Sequence, residues 1–130
     1  MAGFSTVSPP NPIYHLWYDS FVDVHFHAAA QAELDSLPML ERRAMDHAVE
    51  KLQALGAQLP FPHASRVRGA TTLFELRPRA GRSRWRAFYR QVGATVVIAA
   101  IGPEAAVDPR GFARAVKVAQ QRLSTLEGVE

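Results

Sequence analysis

Eight arginines and a single acid, Glu75, fall between Arg66 and Arg90 of this 130-residue chain. Guanidinium is charged at every physiological pH, and its forked donors match the oxygens of phosphate. Such a block can hold a nucleic-acid backbone or stabilise charge that develops on a phosphate in a transition state. It is a poor general base, because it does not give up its proton at neutral pH. Catalysis by these residues would therefore rest on positioning and electrostatics.

The elements that must position the arginines can be read from alternation. LFEL (Leu73–Leu76) reads as a strand, PRAGRS (Pro78–Ser83) as a hairpin loop, and RWRAFYRQ (Arg84–Gln91) as a half-buried strand. Period-two geometry puts Trp85, Ala87 and Tyr89 on one face and Arg84, Arg86, Phe88 and Arg90 on the other. In the first strand Phe74 and Leu76 share a face, opposite Leu73, Glu75 and Arg77. The expected polar face therefore carries Glu75, Arg77, Arg84, Arg86 and Arg90. Arg66 and Arg68 enter it from the preceding loop, and Arg79 and Arg82 crown the hairpin tip. Like charges on one sheet face repel by roughly tenths of a kcal/mol per pair, so an anionic partner is the expected compensation. Glu75 pairing with Arg86 or Arg77 reads first as a surface ion pair, worth about 0–1 kcal/mol.

Charge distribution sharpens this. Residues 1–60 hold three basic and seven acidic residues, for −4, while residues 61–130 hold twelve and five, for +7. An arginine-rich composition alone does not explain why only two of thirteen arginines fall in the first sixty residues. A basic patch directed at a phosphate polyanion or an acidic protein does. There is no cysteine, which excludes disulfides and thiolate zinc sites. No apolar run approaches the roughly 20 residues that cross a bilayer. The N-terminal residues have no basic start followed by an apolar stretch and do not read as a signal peptide. The expected compartment is the cytoplasm, and the expected partners do not include a membrane.

The remaining chain supplies the scaffold. Residues 1–15, with Pro9, Pro10 and Pro12, read as a flexible arm, and residues 16–130 as one domain. Leu16 to Phe26 is aromatic and β-branched and reads as a strand. A short helix over Ala28–Leu37 and a second from about Pro38 to Leu55 follow, the second with an apolar stripe of Leu40, Ala44, Ala48, Leu52 and Leu55 and a stop at Gly56. TVVIAAI (Thr95–Ile101) reads as a buried central strand. Asp108-Pro109 opens a last helix whose stripe is Phe112, Ala115, Val116, Ala119, Leu123 and Leu126. The order β-α-α-β-β-β-α predicts an α+β domain: a small curled antiparallel sheet packed on an N-terminal helical hairpin and a C-terminal helix.

AAAQAELDSLP, a second helix closing in KLQALG, and LFELRPRAGRSRWRAFYR followed by a buried strand and a helix occur here in one order. This succession resembles the phage-derived HigB/Gp49 branch of the RelE-like toxins. The ELR of Glu75-Leu76-Arg77 and the RxxxY from Arg86 to Tyr89 carry most of the likeness. The resemblance implies a microbial-RNase-like fold and the toxin role of a type II toxin-antitoxin system. It also implies metal-independent, cofactor-free cleavage of mRNA on the ribosome through attack of a 2′-hydroxyl on the adjacent phosphate. The implied partner is a cognate antitoxin, often a helix-turn-helix protein. It makes Arg77 and Arg86 the catalytic, phosphate-directed residues, with Arg66, Arg68, Arg79, Arg82, Arg84 and Arg90 holding RNA. The chain departs from the family pattern in two places. Ile101–Ala106 stands where the family has lysines, and Phe112 stands nearest its proton-transferring tyrosine. These departures support an alternative: a weakened or inactive module on the same fold that binds nucleic acid or an acidic protein.

The other reactive side chains have plainer readings. His25 and His27 share a strand face but lack a third metal ligand, so no metal site is expected. His63 reads as a loop residue, and His63 and Glu104 rank as weak substitutes for the missing proton donor. Trp17 and Trp85 read as core, whereas Phe88, on the arginine face, is placed to stack on a base.

Overall fold

The computed structural model describes residues 22–129, with side chains described as far as Leu126. The arm expected over residues 1–15, Trp17, and the part of the first expected strand before Val22 lie outside these residues. Strand β1 (Asp23–Phe26) leads into helices α1 (Ala28–Asp35) and α2 (Met39–Leu55). Strands β2 (Ala64–Arg66), β3 (Phe74–Leu76), β4 (Trp85–Val92) and β5 (Thr95–Pro103) follow, then helix α3 (Pro109–Val129). The α+β class and element order agree with the sequence reading. Two details do not. The loop after α2 contributes the short edge strand β2, and β1 pairs with β5 in parallel, so the five-stranded sheet β1-β5-β4-β3-β2 is mixed.

The sheet is covered on both faces. Against α1 and α2 it packs Val24, Leu76, Ala87, Tyr89, Val96 and Ile98 onto Leu34, Met45, Val49 and Leu52. Against α3 it packs Leu73, Phe88, Val97, Ala99 and Ala100 onto Ala115, Ala119 and Leu123. Each fully buried large aliphatic side chain contributes about 1.5–3 kcal/mol of transfer free energy. The α2 stripe is shifted from its expected position. Leu40 and Leu55 are exposed, and the core contacts are made instead by Met45 and Val49 alongside Ala44, Ala48 and Leu52. At α3, the Asp108 carboxylate accepts from the Gly111 N–H at 2.9 Å, the cap that Asp108-Pro109 predicted. Gly102 lets α3 approach β5: a Cβ there would collide with Ala115.

A β-bulge shapes β5. Phe88 opposes Ala100 and Tyr89 opposes Ile98, leaving Ala99 as an extra residue. Ala99 and Ala100 both face α3 as a result, while Ile101 turns back toward the first core. β1 ends opposite Ile98, so the following β5 backbone needs other partners. An ion pair supplies them. Glu33 of α1 accepts from the Ile101 N–H at 3.0 Å and from both terminal nitrogens of Arg122 of α3 at 3.2 and 2.9 Å. Arg122 donates in turn to the Ala99 carbonyl at 2.8 Å. Glu33→Ala strands the Ile101 N–H and Arg122 together, so urea unfolding should show a loss of about 1–3 kcal/mol. An unchanged midpoint would refute the clamp.

Candidate active site

The chemistry-bearing hairpin is β3–β4, joined by a tight 3-10 segment over Pro78–Gly81. Arg79 and Ala80 take left-handed φ values of 55° and 56°, a conformation that costs an L-residue about 1–2 kcal/mol each. Contacts to α2 hold the tip in it. Arg79 pairs with Glu41 at 3.3 Å and donates to the Leu40 carbonyl at 3.4 Å. The buried Ser83 hydroxyl donates to Glu41 at 2.7 Å and accepts from the Trp85 N–H at 3.1 Å.

Behind the tip lies Arg86, only 2% exposed. One terminal nitrogen donates to the carbonyls of Ser83 (2.6 Å) and Trp85 (3.0 Å). The other donates to the Gly81 carbonyl (3.3 Å) and to the Glu104 carboxylate (2.7 Å). Nε lies 3.3 Å from Glu75 Oε1 but without the alignment of a hydrogen bond. Glu75 also faces Arg77 at 3.7 Å. The result is a chain of charge, Arg77–Glu75–Arg86–Glu104, running beneath the hairpin. Burial raises the Glu75 carboxyl above its ordinary pKa, outweighing the pull of Arg86 and Arg77 in the other direction. Burial, together with the Arg77 charge, lowers Arg86 despite its two carboxylate partners.

Arg77 is the more accessible of the pair, with its side chain one-fifth exposed. Its Nε donates to the Pro62 carbonyl at 2.9 Å, and its guanidinium sits 5.1 Å from the Phe61 ring centroid. Gly81 makes room for it, because a Cβ there would lie 2.6 Å from the Arg77 terminal nitrogen. The remaining expected contact residues do not converge. Arg66 shares a strand face with Ala64 and lies over Phe74, on the side of the sheet opposite Arg86. Arg79 is drawn to α2. Arg68, Arg82 and Arg84 are exposed, with Arg82 turned to the Arg79 carbonyl. Arg90 is half-buried and donates to the Thr71 carbonyl at 2.8 Å. The single exposed arginine face is thus corrected to a buried ion network with arginines on both sides of the sheet. Alternation assigns each residue to a face, but it cannot show that the hairpin tip folds over one face and that Glu104 closes in from the end of β5.

Phe88 is fully buried, in an edge-to-face contact with Phe112 at 5.4 Å between centroids, so it is no stacking platform. Trp85 packs against the first core, as expected. Tyr89 stacks on Phe74 at 5.6 Å, and burial pushes its hydroxyl up to about 12, which suits packing rather than proton transfer at neutral pH. Among the described residues no three His, Asp or Glu side chains gather into a metal site, and no helix is long and apolar enough to cross a membrane.

Comparison with known proteins places this geometry. Residues 32–102, more than half the chain, match the family described as phage-derived protein Gp49-like. No curated protein matches by sequence. Among solved structures, a mutant of the E. coli toxin RelE in the free state superposes with a TM-score of 0.54 at 16% identity, covering 75% of this chain and 96% of that one. The RelBE2 toxin-antitoxin complex from Mycobacterium tuberculosis gives 0.51 at 22%, covering 65% and 99%. The intact E. coli RelBE complex gives 0.51 at 16%, covering 64% and 96%. The chain has the fold of the RelE toxins.

Two predictions follow from the buried network. Arg86→Ala leaves the Glu104 carboxylate and three carbonyls without their donor and Glu75 without its buried countercharge, and should destabilise the fold by about 3–5 kcal/mol. A urea midpoint like that of the parent would disprove the burial. Glu75 binds its proton more tightly folded than unfolded, so its ionisation removes stability as pH rises from the ordinary glutamate value, about 4.3, through its raised value. Over that window the parent should lose stability relative to Glu75→Gln, and parallel stability–pH curves would contradict the raised carboxyl.

Proposed function

Because the chain belongs to the phage-derived Gp49-like family and carries the RelE fold, we propose that it is the toxin of a toxin-antitoxin pair, cleaving mRNA on the ribosome in the cytoplasm. The observation that carries this reading is the Arg77–Glu75–Arg86 succession on one hairpin, with a partly exposed cation beside a carboxyl of raised proton affinity. In this reading Arg77 touches the scissile phosphate. Glu75 accepts the 2′-hydroxyl proton, and the freed oxygen attacks phosphorus. The P–O5′ bond breaks, and the departing 5′-oxygen takes a proton from solvent water, leaving a 2′,3′-cyclic phosphate and a 5′-hydroxyl end. Arg86 is an electrostatic contributor that fixes Glu75 from beneath. Its terminal nitrogens are already engaged by three carbonyls and Glu104, so they reach phosphate only if Glu104 releases them. Arg66, Arg68, Arg82, Arg84 and Arg90 contribute long-range attraction for RNA. A cognate antitoxin, of the helix-turn-helix type, is the proposed protein partner; the RelE neighbours in two of the superposed structures are themselves held in toxin-antitoxin complexes.

A second reading, a non-cleaving RNA-binding module, is favoured by the burial of Arg86 with both terminal nitrogens engaged and by the burial of Phe88 against Phe112, which carries no hydroxyl. Induced expression in a bacterial host separates the two. Growth arrest with new 5′ ends inside translated mRNA is the expected result. Removing a single transition-state donor costs about 10²–10³-fold in rate, so Arg77→Ala should abolish both effects while its circular dichroism stays that of the parent. Unimpaired growth with intact mRNA from soluble, folded parent protein would overturn the nuclease and leave the binding module.

A further inference from the structure

A second cluster of positive charge lies on the face of the sheet away from Arg86. A groove of about 300 Å³ runs between α2 and the end of β3. Arg43, His47 and Lys51 of α2 form one wall, and His63, Arg77 and Arg79 the other. The three α2 residues recur at i, i+4 and i+8, so they follow one stripe of the helix over about 12 Å. No carboxylate lines the groove. Glu41 engages Arg79 from outside it, whereas no carboxylate among the described residues pairs with Arg43 or Lys51. Residues 1–60 have only three cations against seven acids. Of those three, Arg42 turns back to the Asp35 carbonyl at 3.4 Å, and the other two both line the groove.

A charged stripe on a helix is ordinarily a solvated face. Three features separate this one. It is concave, it is free of acids in an acidic segment, and it draws cations from two parts of the chain that meet only in the fold. We propose that the groove is a binding site for the phosphate backbone of RNA, distinct from the Arg86 network and joined to it through Arg77, which belongs to both. Arg43 and Lys51 supply charge along the backbone, and His47 and His63 add ring N–H donors. RNA lying along α2 would reach Arg77 from the side opposite Glu104. The inference rests on the RNA-directed reading above but not on cleavage.

The probe is a labelled 2′-O-methyl oligoribonucleotide, which lacks the attacking hydroxyl and so reports binding alone. Its affinity is followed by fluorescence anisotropy across a salt series, with the full chain. The test variant is Arg43→Ala/Lys51→Ala. The control is Arg110→Ala/Lys117→Ala, which removes the same charge from exposed positions of α3. All four side chains are exposed, so both variants should fold as the parent does, and circular dichroism checks this. Loss of two phosphate contacts should weaken binding about tenfold at moderate salt and reduce the slope of log K against log salt by about 1.4. The control should stay close to the parent. Equal affinity and slope for the two double variants would overturn the groove while leaving the RNA-directed reading intact. No binding by the parent would overturn both. Selective loss of binding to a poly-glutamate peptide, with RNA binding unchanged, would overturn RNA as the ligand and make the groove a protein-docking surface.

Discussion

The fold of the hairpin depends on one buried cation. Arg86 donates to three carbonyls of the turn that precedes it and lies between Glu75 on the neighbouring strand and Glu104 at the end of β5. The Gly81 and Ser83 carbonyls belong to a tip with two residues in left-handed conformations, and Arg86 adds to that tip's own backbone bonds from Gly81, Arg82 and Ser83. Burying a guanidinium carries several kcal/mol of desolvation, which only full hydrogen bonding and opposite charge offset. The two terminal nitrogens are hydrogen-bonded and Nε faces the Glu75 carboxylate without a hydrogen bond, and both β3 and β5 must be in register for these contacts to form. The network therefore couples the geometry of the turn to that of the sheet.

This arrangement assigns different work to two arginines that look alike in the sequence. Arg86 is enclosed and acts on its surroundings through charge and position. Arg77 is partly open, is held by the Pro62 carbonyl and the Phe61 ring, and stands where a ligand can reach it. Glu75 lies between them with its proton affinity raised by burial. A carboxyl so placed is set by its environment to exchange a proton closer to neutrality than an exposed glutamate does, which is the condition general base chemistry requires. Loss of activity in an Arg86 variant would therefore report on folding as much as on catalysis, whereas Arg77 reports on contact.

Much of the architecture was legible in the sequence because it is carried by local signals. The alternation of RWRAFYRQ, the Asp108-Pro109 start of α3 and the apolar run of β5 each specify an element without reference to the rest. The partition of Phe88 and Trp85 to opposite faces was equally readable. Three features were not, each for a tertiary reason. The bulge at Ala99 is bonded by the Glu33–Arg122 pair, whose members are far apart in the chain. The edge strand β2 exists because β3 offers it a ladder, not because ASR favours extension. The burial of Arg86 involves Glu104, a residue that the sequence marks as standing among missing lysines and as a weak substitute proton donor, not as an ion-pair partner. Likewise, Arg43 and Lys51 sit in an acidic segment, and only the packing of α2 beside β3 turns them into one wall of a basic groove.

Glu75 and Arg86 act as one buried unit rather than as a surface pair. A double-mutant cycle by urea unfolding, with Glu75→Gln, Arg86→Met and the combination, measures this directly. The account predicts a coupling of about 1–3 kcal/mol, the range for residues sharing one ion network. Additivity within about 0.5 kcal/mol would contradict it and return the pair to the solvated surface.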